Sequence, residues 1–364
     1  MSKKNKNVPA PEQENEAVKQ PKKKKKKSGF GRFLGRFFLL LFTILLILAV
    51  DLYLVLNLVF NGPSEAACKA VTMSLTEISI TKWVPDIFLG AERVAEIRSS
   101  MKVEQFSAVT DPSQVTVTPQ ANADSVRIEN RNGDTFQAHI MLVQDPSQVY
   151  MGLASQDLAT SGGKTLTAAL EAAPDAVAAI NAGAFLVDET SGRSVPAGLI
   201  YSAGELCWDE NHNLVANEGF AGFDQNNVLI VATEMTASQA EKLQIRDGCS
   251  FGPALIVNGE VNADVYNTNS GFAARTAIGQ RADGTVVFVT IDGLKAGSLG
   301  ASYQDLIDIL MEYGVINACN MDGSASVMMY REAGQIRMIN NQSLLTSQDS
   351  SMPNYWMVRA TGTE

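Results

Sequence analysis

The sequence predicts an α/β or α+β fold, a mixed β-sheet domain with helices packed on it, preceded by one transmembrane helix and a short helical stalk. Three observations carry this. An unbroken apolar run at 37–60 follows a strongly basic tail. Two hairpin signals, Asn132-Gly133 and Asp283-Gly284, sit between segments rich in β-branched and apolar residues. Short helical patterns then separate further strand-like runs, which is the alternation expected of a sheet covered by helices.

The N-terminal tail, 1–36, holds 12 Lys or Arg against 3 Glu, a balance of +9 in a chain whose formal charge is −10, leaving −19 beyond it. With almost nothing to bury, the run Lys22 to Lys27 is expected to be disordered. The run 37–60, FFLLLFTILLILAVDLYLVLNLVF, rises ~1.5 Å per residue as a helix and so matches a bilayer core of roughly 30 Å. Asp51 interrupts it at a cost on the order of 3 kcal/mol, which the neighbouring Leu, Ile and Phe offset. The run exceeds a cleavable signal core, no small-x-small site follows closely, and Glu65 sits where lipoprotein processing at Cys68 would need an aliphatic residue. An uncleaved, single-pass signal anchor in the cell membrane is therefore expected, with a cytoplasmic N-terminus and an extracellular remainder. The basic tail is a topology signal, and no nucleic-acid partner is expected.

The four cysteines, Cys68, Cys207, Cys249 and Cys319, are too dispersed for a metal site or a disulfide framework and read as buried free thiols. Two histidines, His139 and His212, are too few for a His-rich zinc site or a Ser-His-Asp triad. Residues 61–124 are expected to form stalk and linker. Helical spacing around Val71, Leu75 and Ile78, and again Ile87, Val94 and Ile97, is broken by Pro85, and 109–123 is rich in Thr, Ser, Pro and Gln.

The folded domain is placed at 125–364. A hairpin flanks Asn132-Gly133, a short helix covers 166–172, and a buried strand at 176–180 ends in Asn181-Ala182-Gly183. Strands follow at 198–202, 205–208 and 228–232, with a helix at 238–243 introduced by Thr236. A second hairpin turns at 281–284, and a helix at 302–313 opens with a Ser302/Asp305 capping box and ends at Gly314. The chain then returns as a strand at 315–320 that runs into Asp322-Gly323-Ser324 and Ser326.

Residues equidistant from a hairpin turn oppose each other, so Arg275 is expected near 290–292. The helix at 302–313 links the strands at 285–291 and 315–320, which makes them parallel if they share a sheet and brings Asp292 and Asp322 out together. If the strand ending at Asn181 joins that sheet, all four polar elements line one crevice. Arg275 between two acids reads either as a structural ion pair or as a grip for a phosphate or carboxylate, with one Asp acting as acid or nucleophile and the other orienting. Oxygen-rich loops at Asp292 and Asp322 also leave Ca²⁺ or Mg²⁺ open, though without EF-hand spacing.

Several blocks in order resemble the phosphodiester glycosidase domain family, in its bacterial membrane-anchored form. They are AAINAGAF (178–185), VPAGLI (195–200), SFGPALIVNGE (250–260), ARTAIGQRADGTVVFVTIDG (274–293), SLGASYQDLIDILMEYG (298–314) and NMDGSASVMMY (320–330). The resemblance implies a hydrolase cleaving sugar-1-phosphodiester bonds, of the N-acetylglucosamine-1-phosphodiester kind, in envelope or exopolysaccharide glycans. It implies substrate binding by Asn181, Gly183, Gly198, Thr276, Gly323, Ser324 and Ser326. Arg275 would hold the phosphate, Asp322 would be the main catalytic carboxylate, and Asp292 the second. The chain departs from the family pattern at Ala182 and Ser324, where glycine is usual, and has no Arg in 348–353. These departures leave a second reading open, a catalytically impaired glycan-binding or envelope-assembly protein on the same fold.

Overall fold

The structure, a computed structural model, describes residues 29–77, 81–100, 109–117, 126–188, 190–210, 219–268, 270–323, 328–339 and 351–360. The basic run and His212 lie outside them. The chain divides into two compact units, Met1–Leu56 and Asn57–Glu364.

Helix α1 (Gly29–Asn61) contains the apolar run, and its segment Leu34–Asn61 is long and apolar enough to cross a membrane. Leu39, Phe42, Leu45 and Leu52 are all exposed, so this helix is apolar all round, as a span facing lipid must be.

The second unit begins with α2 (Glu65–Glu77), α3 (Val84–Leu89) and α4 (Ala91–Ser100). Pro85 starts α3, where its missing N–H costs nothing. These helices pack: Phe60 stacks on Phe88 with ring centroids 5.1 Å apart, and Cys68, Val94 and Ile97 are buried. Helix α2 lies so close to the loop before the second hairpin that a Cβ on Gly271 would fall 2.0 Å from Ser74 Oγ. The segment expected as a free linker is extended but docked over 109–117. Thr110 is buried, its hydroxyl lies within hydrogen-bond reach of Val231 O and Asn317 Oδ1, and Val115 joins an apolar cluster. Buried main-chain polar groups need such partners, which is why a Thr-rich stretch can be part of the body.

The strands in chain order are β1 (Val126–Asn132), β2 (Gln137–Val143), β3 (Val149–Leu153), β4 (Ala176–Asn181), β5 (Phe185–Val187), β6 (Ser194–Pro196), β7 (Leu199–Ser202), β8 (Glu205–Asp209), β9 (Phe220–Asp224), β10 (Leu229–Ala232), β11 (Ile245–Ser250), β12 (Ala254–Val257), β13 (Glu260–Val261), β14 (Arg275–Arg281), β15 (Val286–Ile291), β16 (Val315–Met321), β17 (Met328–Glu332), β18 (Gln335–Met338) and β19 (Asn354–Arg359). Helices α5 (Leu166–Ala172), α6 (Ala237–Lys242), α7 (Ala263–Asn267) and α8 (Tyr303–Glu312) complete the unit. A seven-stranded sheet runs β1-β2-β15-β14-β16-β12-β13. Two five-stranded sheets run β10-β9-β11-β7-β8 and β18-β17-β4-β19-β3, and β5 and β6 form a ribbon.

Neighbouring strands pair antiparallel throughout these sheets with helices packed on them, so of the two expected classes the fold is α+β. β15 and β16 both flank β14 antiparallel, hence run parallel to each other across it, the arrangement the α8 crossover demands. The condition set for β4, that it share this sheet, is not met: it pairs with β17 and β19 in a separate sheet.

β15 is buried on both faces, which explains its continuous apolar sequence. Val286 and Phe288 face the core between sheets, while Val287, Val289 and Ile291 face α8. α8 has the expected capping box, with Ser302 Oγ accepting from Asp305 N at 3.1 Å and Asp305 Oδ2 accepting from Ser302 N at 2.9 Å. It buries Leu306, Ile307, Ile309 and Leu310, and ends at Gly314 with φ +72°.

Candidate functional site

Asp322 follows directly on β16, where the chain leaves the seven-stranded sheet for β17, which pairs with β4 in another sheet. The C-terminal end of β4 therefore meets the Asp322 turn. Asn181, fully buried, donates from Nδ2 to the Asp322 carbonyl at 2.7 Å and accepts from the Thr276 hydroxyl at 3.1 Å. Asp322 N in turn donates to Ala182 O at 3.4 Å. One asparagine thus joins the ends of β4, β14 and β16, beside the half-buried Asp322.

The register places Arg275 opposite Ile291, and Thr276 between Thr290 and Met321. Thr290 pairs on its other side with His139, so His139, Thr290 and Thr276 form one polar row across three strands. Asp292 continues the Thr290 side of β15 one step beyond the strand. Its Oδ2 accepts an ion-pair hydrogen bond from Lys295 Nζ and lies 3.2 Å from His139 Nε2, whose Nδ1 lies 2.7 Å from Asn130 Oδ1. Asp292 is buried, and its Oδ1 and the Thr290 hydroxyl have no hydrogen-bond partner among the described residues. Such atoms cost roughly 1–3 kcal/mol each, a cost that sites for ligands carry more often than structural cores. The ends of β15 and β16 are two strand spacings apart, about 10 Å.

Adjacent strand residues face opposite sides, and Arg275 points away from Thr276 toward α8. Its Nε donates to Ala301 O at 3.1 Å and its Nη2 to Gly271 O at 2.9 Å, and the guanidinium lies 4.1 Å from the Tyr303 ring centroid. Arg275 ties together the loops on either side of the second hairpin. These contacts place it with the two loops, on the opposite face of β14 from the Thr276–Asn181 bond.

Three glycines allow close approach. A Cβ on Gly323 would fall 2.2 Å from Ala274 O, one on Gly183 would fall 2.9 Å from Cys249 Cβ, and Gly198, at φ +75°, would meet Ser250 Cβ at 2.4 Å. Ala182 is buried without left-handed backbone, so alanine replaces the usual glycine there without strain. Ser324 and Ser326 lie outside the described residues, as do 348–350.

Among the described residues no group of three His, Cys, Asp or Glu side chains is placed to hold a metal ion. Asp292, already bound by a lysine and facing a histidine, is a poor cation ligand, so the Ca²⁺ or Mg²⁺ alternative gains nothing from this geometry. All four cysteines are free; burial pushes the Cys249 and Cys319 thiols well up, which removes them as nucleophiles. The sequence reading missed His139 and Lys295. Lys295 follows Asp292 by three residues, a local signal; His139 comes from a strand 153 positions away, and only the β2–β15 register reveals it.

A family model described as "Phosphodiester glycosidase" matches residues 174–359, which include Asn181, Arg275, Thr276, Asp292 and Asp322. Among curated proteins, the SPbeta prophage-derived uncharacterized protein YomE of Bacillus subtilis (strain 168) is 25% identical over 292 residues, 78% of this chain and 42% of that protein. The chain thus spans less than half of that relative's length. Among solved structures, the catalytic domain of zebrafish N-acetylglucosamine-1-phosphodiester alpha-N-acetylglucosaminidase, auto-inhibited by its pro-peptide, superposes with a TM-score of 0.51 at 17% identity, over 66% of this chain and 86% of that one. At that identity the likeness speaks for the fold.

Proposed function

The chain belongs to the phosphodiester glycosidase family, and from that membership we propose that it hydrolyses a sugar-1-phosphodiester, of the N-acetylglucosamine type, in envelope or exopolysaccharide glycans. The observation that carries this reading is the Asn181 junction. Within the family-matched residues, two sheets meet at a buried asparagine that fixes the backbone of an acidic turn. The activity in the zebrafish enzyme's name supports the choice of sugar and bond.

Hydrolysis breaks the bond between the sugar C1 and a phosphate oxygen, water supplies the new C1 hydroxyl, and a phosphomonoester leaves. Asp322 is assigned the main carboxylate role, directing water or stabilising positive charge at C1. Asp292 is the second carboxylate, oriented by Lys295 and His139. Arg275 is assigned to positioning through Gly271 and Ala301, and to adding positive potential for an anionic diester, in place of the bidentate phosphate grip that the resemblance implied. The apolar segment Leu34–Asn61 is assigned as a membrane anchor, with the C-terminal unit outside the cell.

One observation favours the second reading, a glycan-binding protein without turnover. Asp292 is buried between two basic groups, as a purely structural carboxylate would be. Incubating the full chain in detergent with the methyl diester of α-N-acetylglucosamine-1-phosphate, and following products by phosphorus and proton NMR, separates the two. Release of N-acetylglucosamine and methyl phosphate supports hydrolysis. Sugar binding without release across a panel of diesters supports the binder.

A further inference from the structure

Trp208 is the penultimate residue of β8 and Glu210 follows two residues on, so both project from one side of the chain. Trp208 pairs with Ile200, Asp209 with Leu199, and Glu210 N donates to Gly198 O at 2.9 Å, which continues the pairing one step. Opposite Glu210 stands Gly198, whose place is backed by the Ser250 side chain. Trp208 packs on the central core that contains Ile200, Cys249, Ala182 and Met321, the last two being neighbours of Asn181 and Asp322.

Two polar atoms on this face are buried and have no hydrogen-bond partner among the described residues, Trp208 Nε1 and Glu210 Oε2. The indole N–H can only donate, and a carboxylate oxygen can only accept. A sugar hydroxyl can meet either need, accepting from the first or donating to the second. The indole also offers an apolar face to a sugar ring. A ladder of main-chain bonds links the pair to the candidate site: Asp322 N to Ala182 O, Ala184 N to Ser250 O, Ala197 N to Ala184 O, and Glu210 N to Gly198 O.

We propose that Trp208 and Glu210 form a hydroxyl-reading subsite for a sugar residue, linked to the Asp322 turn through this main-chain ladder. The choice of sugar rests on the proposed function; the pairing of donor and acceptor does not. The full chain in detergent is titrated with N-acetylglucosamine and with the methyl diester of its 1-phosphate, alongside Trp208→Phe and Glu210→Ala. Trp208→Phe keeps the ring and loses the N–H, and is expected to weaken binding about tenfold; Glu210→Ala weakens it more. The unfolding temperature of both variants stays level or rises, because each removes an unpartnered buried atom.

Unchanged affinity in both variants overturns the subsite, whether or not the diester is hydrolysed. A lowered unfolding temperature with unchanged affinity makes the pair merely structural and also overturns it, as does failure of the unaltered chain to bind either probe. Variant-sensitive sugar binding without hydrolysis keeps the subsite and removes the proposed reaction.

Discussion

Replacing Asn181 by alanine removes both halves of the bond that joins three strand ends. The lost hydrogen bonds, 2.7 Å to the Asp322 carbonyl and 3.1 Å from the Thr276 hydroxyl, are worth about 1 kcal/mol each. Thr276 is fully buried, so its stranded hydroxyl adds roughly 1–2 kcal/mol, while the half-buried Asp322 turn regains some hydration. The expected total is about 3 kcal/mol, large against a stability of roughly 5–15 kcal/mol yet compatible with folding. Thr276→Val removes the hydroxyl alone and is expected to cost about 1–2 kcal/mol, with a coupling between the two substitutions of about 1 kcal/mol. Urea unfolding of the full chain in detergent, read by tryptophan fluorescence, supplies the double-mutant cycle. Strict additivity, or a cost of Asn181→Ala below about 0.5 kcal/mol, refutes the claim that this side chain holds the junction together.

Lys295→Met breaks an ion pair whose acid is buried, and is expected to destabilise the chain by about 3 kcal/mol in the same unfolding assay, with Asp292→Asn added on top recovering part of the loss. Gly323→Ala, which drives a Cβ into the Ala274 carbonyl, is expected to reduce sugar binding and stability more than Gly183→Ala, whose nearest atom belongs to the Cys249 side chain; calorimetry and thermal unfolding rank them. Burial pushes the hydroxyls of Tyr150 and Tyr313 up to about 12, with Glu129 adding to the effect at Tyr313. Both stay protonated in the folded chain after an unfolded tyrosine ionises near 10, so stability is full below about pH 10 and is lost toward pH 12. Tyr150→Phe with Tyr313→Phe flattens that fall in an unfolding series from pH 9 to 12.

Much of the geometry near β14 and β15 was legible because hairpins impose symmetry. The turn at Asp283-Gly284 fixes which residues oppose, so Arg275 against Ile291 follows from counting. The Ser302/Asp305 box and Gly314 likewise bound α8 from local chemistry alone. The partners of β4 were not legible. An apolar run declares a buried strand, but β17 and β19 join it from far along the chain, Met328 against Ile180 and Tyr355 against Asn181, and no local pattern encodes that choice. The Asp292 cluster was hidden for the same reason, since His139 reaches it through the β2–β15 register. The orientation of Arg275 follows from the strand period as well: it adjoins Thr276, so the two side chains leave β14 on opposite faces.

The Asp322 carboxylate is central to the proposed reaction, since the backbone of that residue is what Asn181 and Ala182 hold. Asp322→Asn keeps the shape of the turn and its main-chain bonds while removing the charge. The decisive measurement is the rate of sugar release from the methyl diester of α-N-acetylglucosamine-1-phosphate by the full chain and by this variant, with unfolding temperature as the control for structure. A catalytic role for this carboxylate predicts measurable release by the unaltered chain and a loss of at least about a hundredfold in the variant at unchanged stability. Equal rates from the two proteins contradict it.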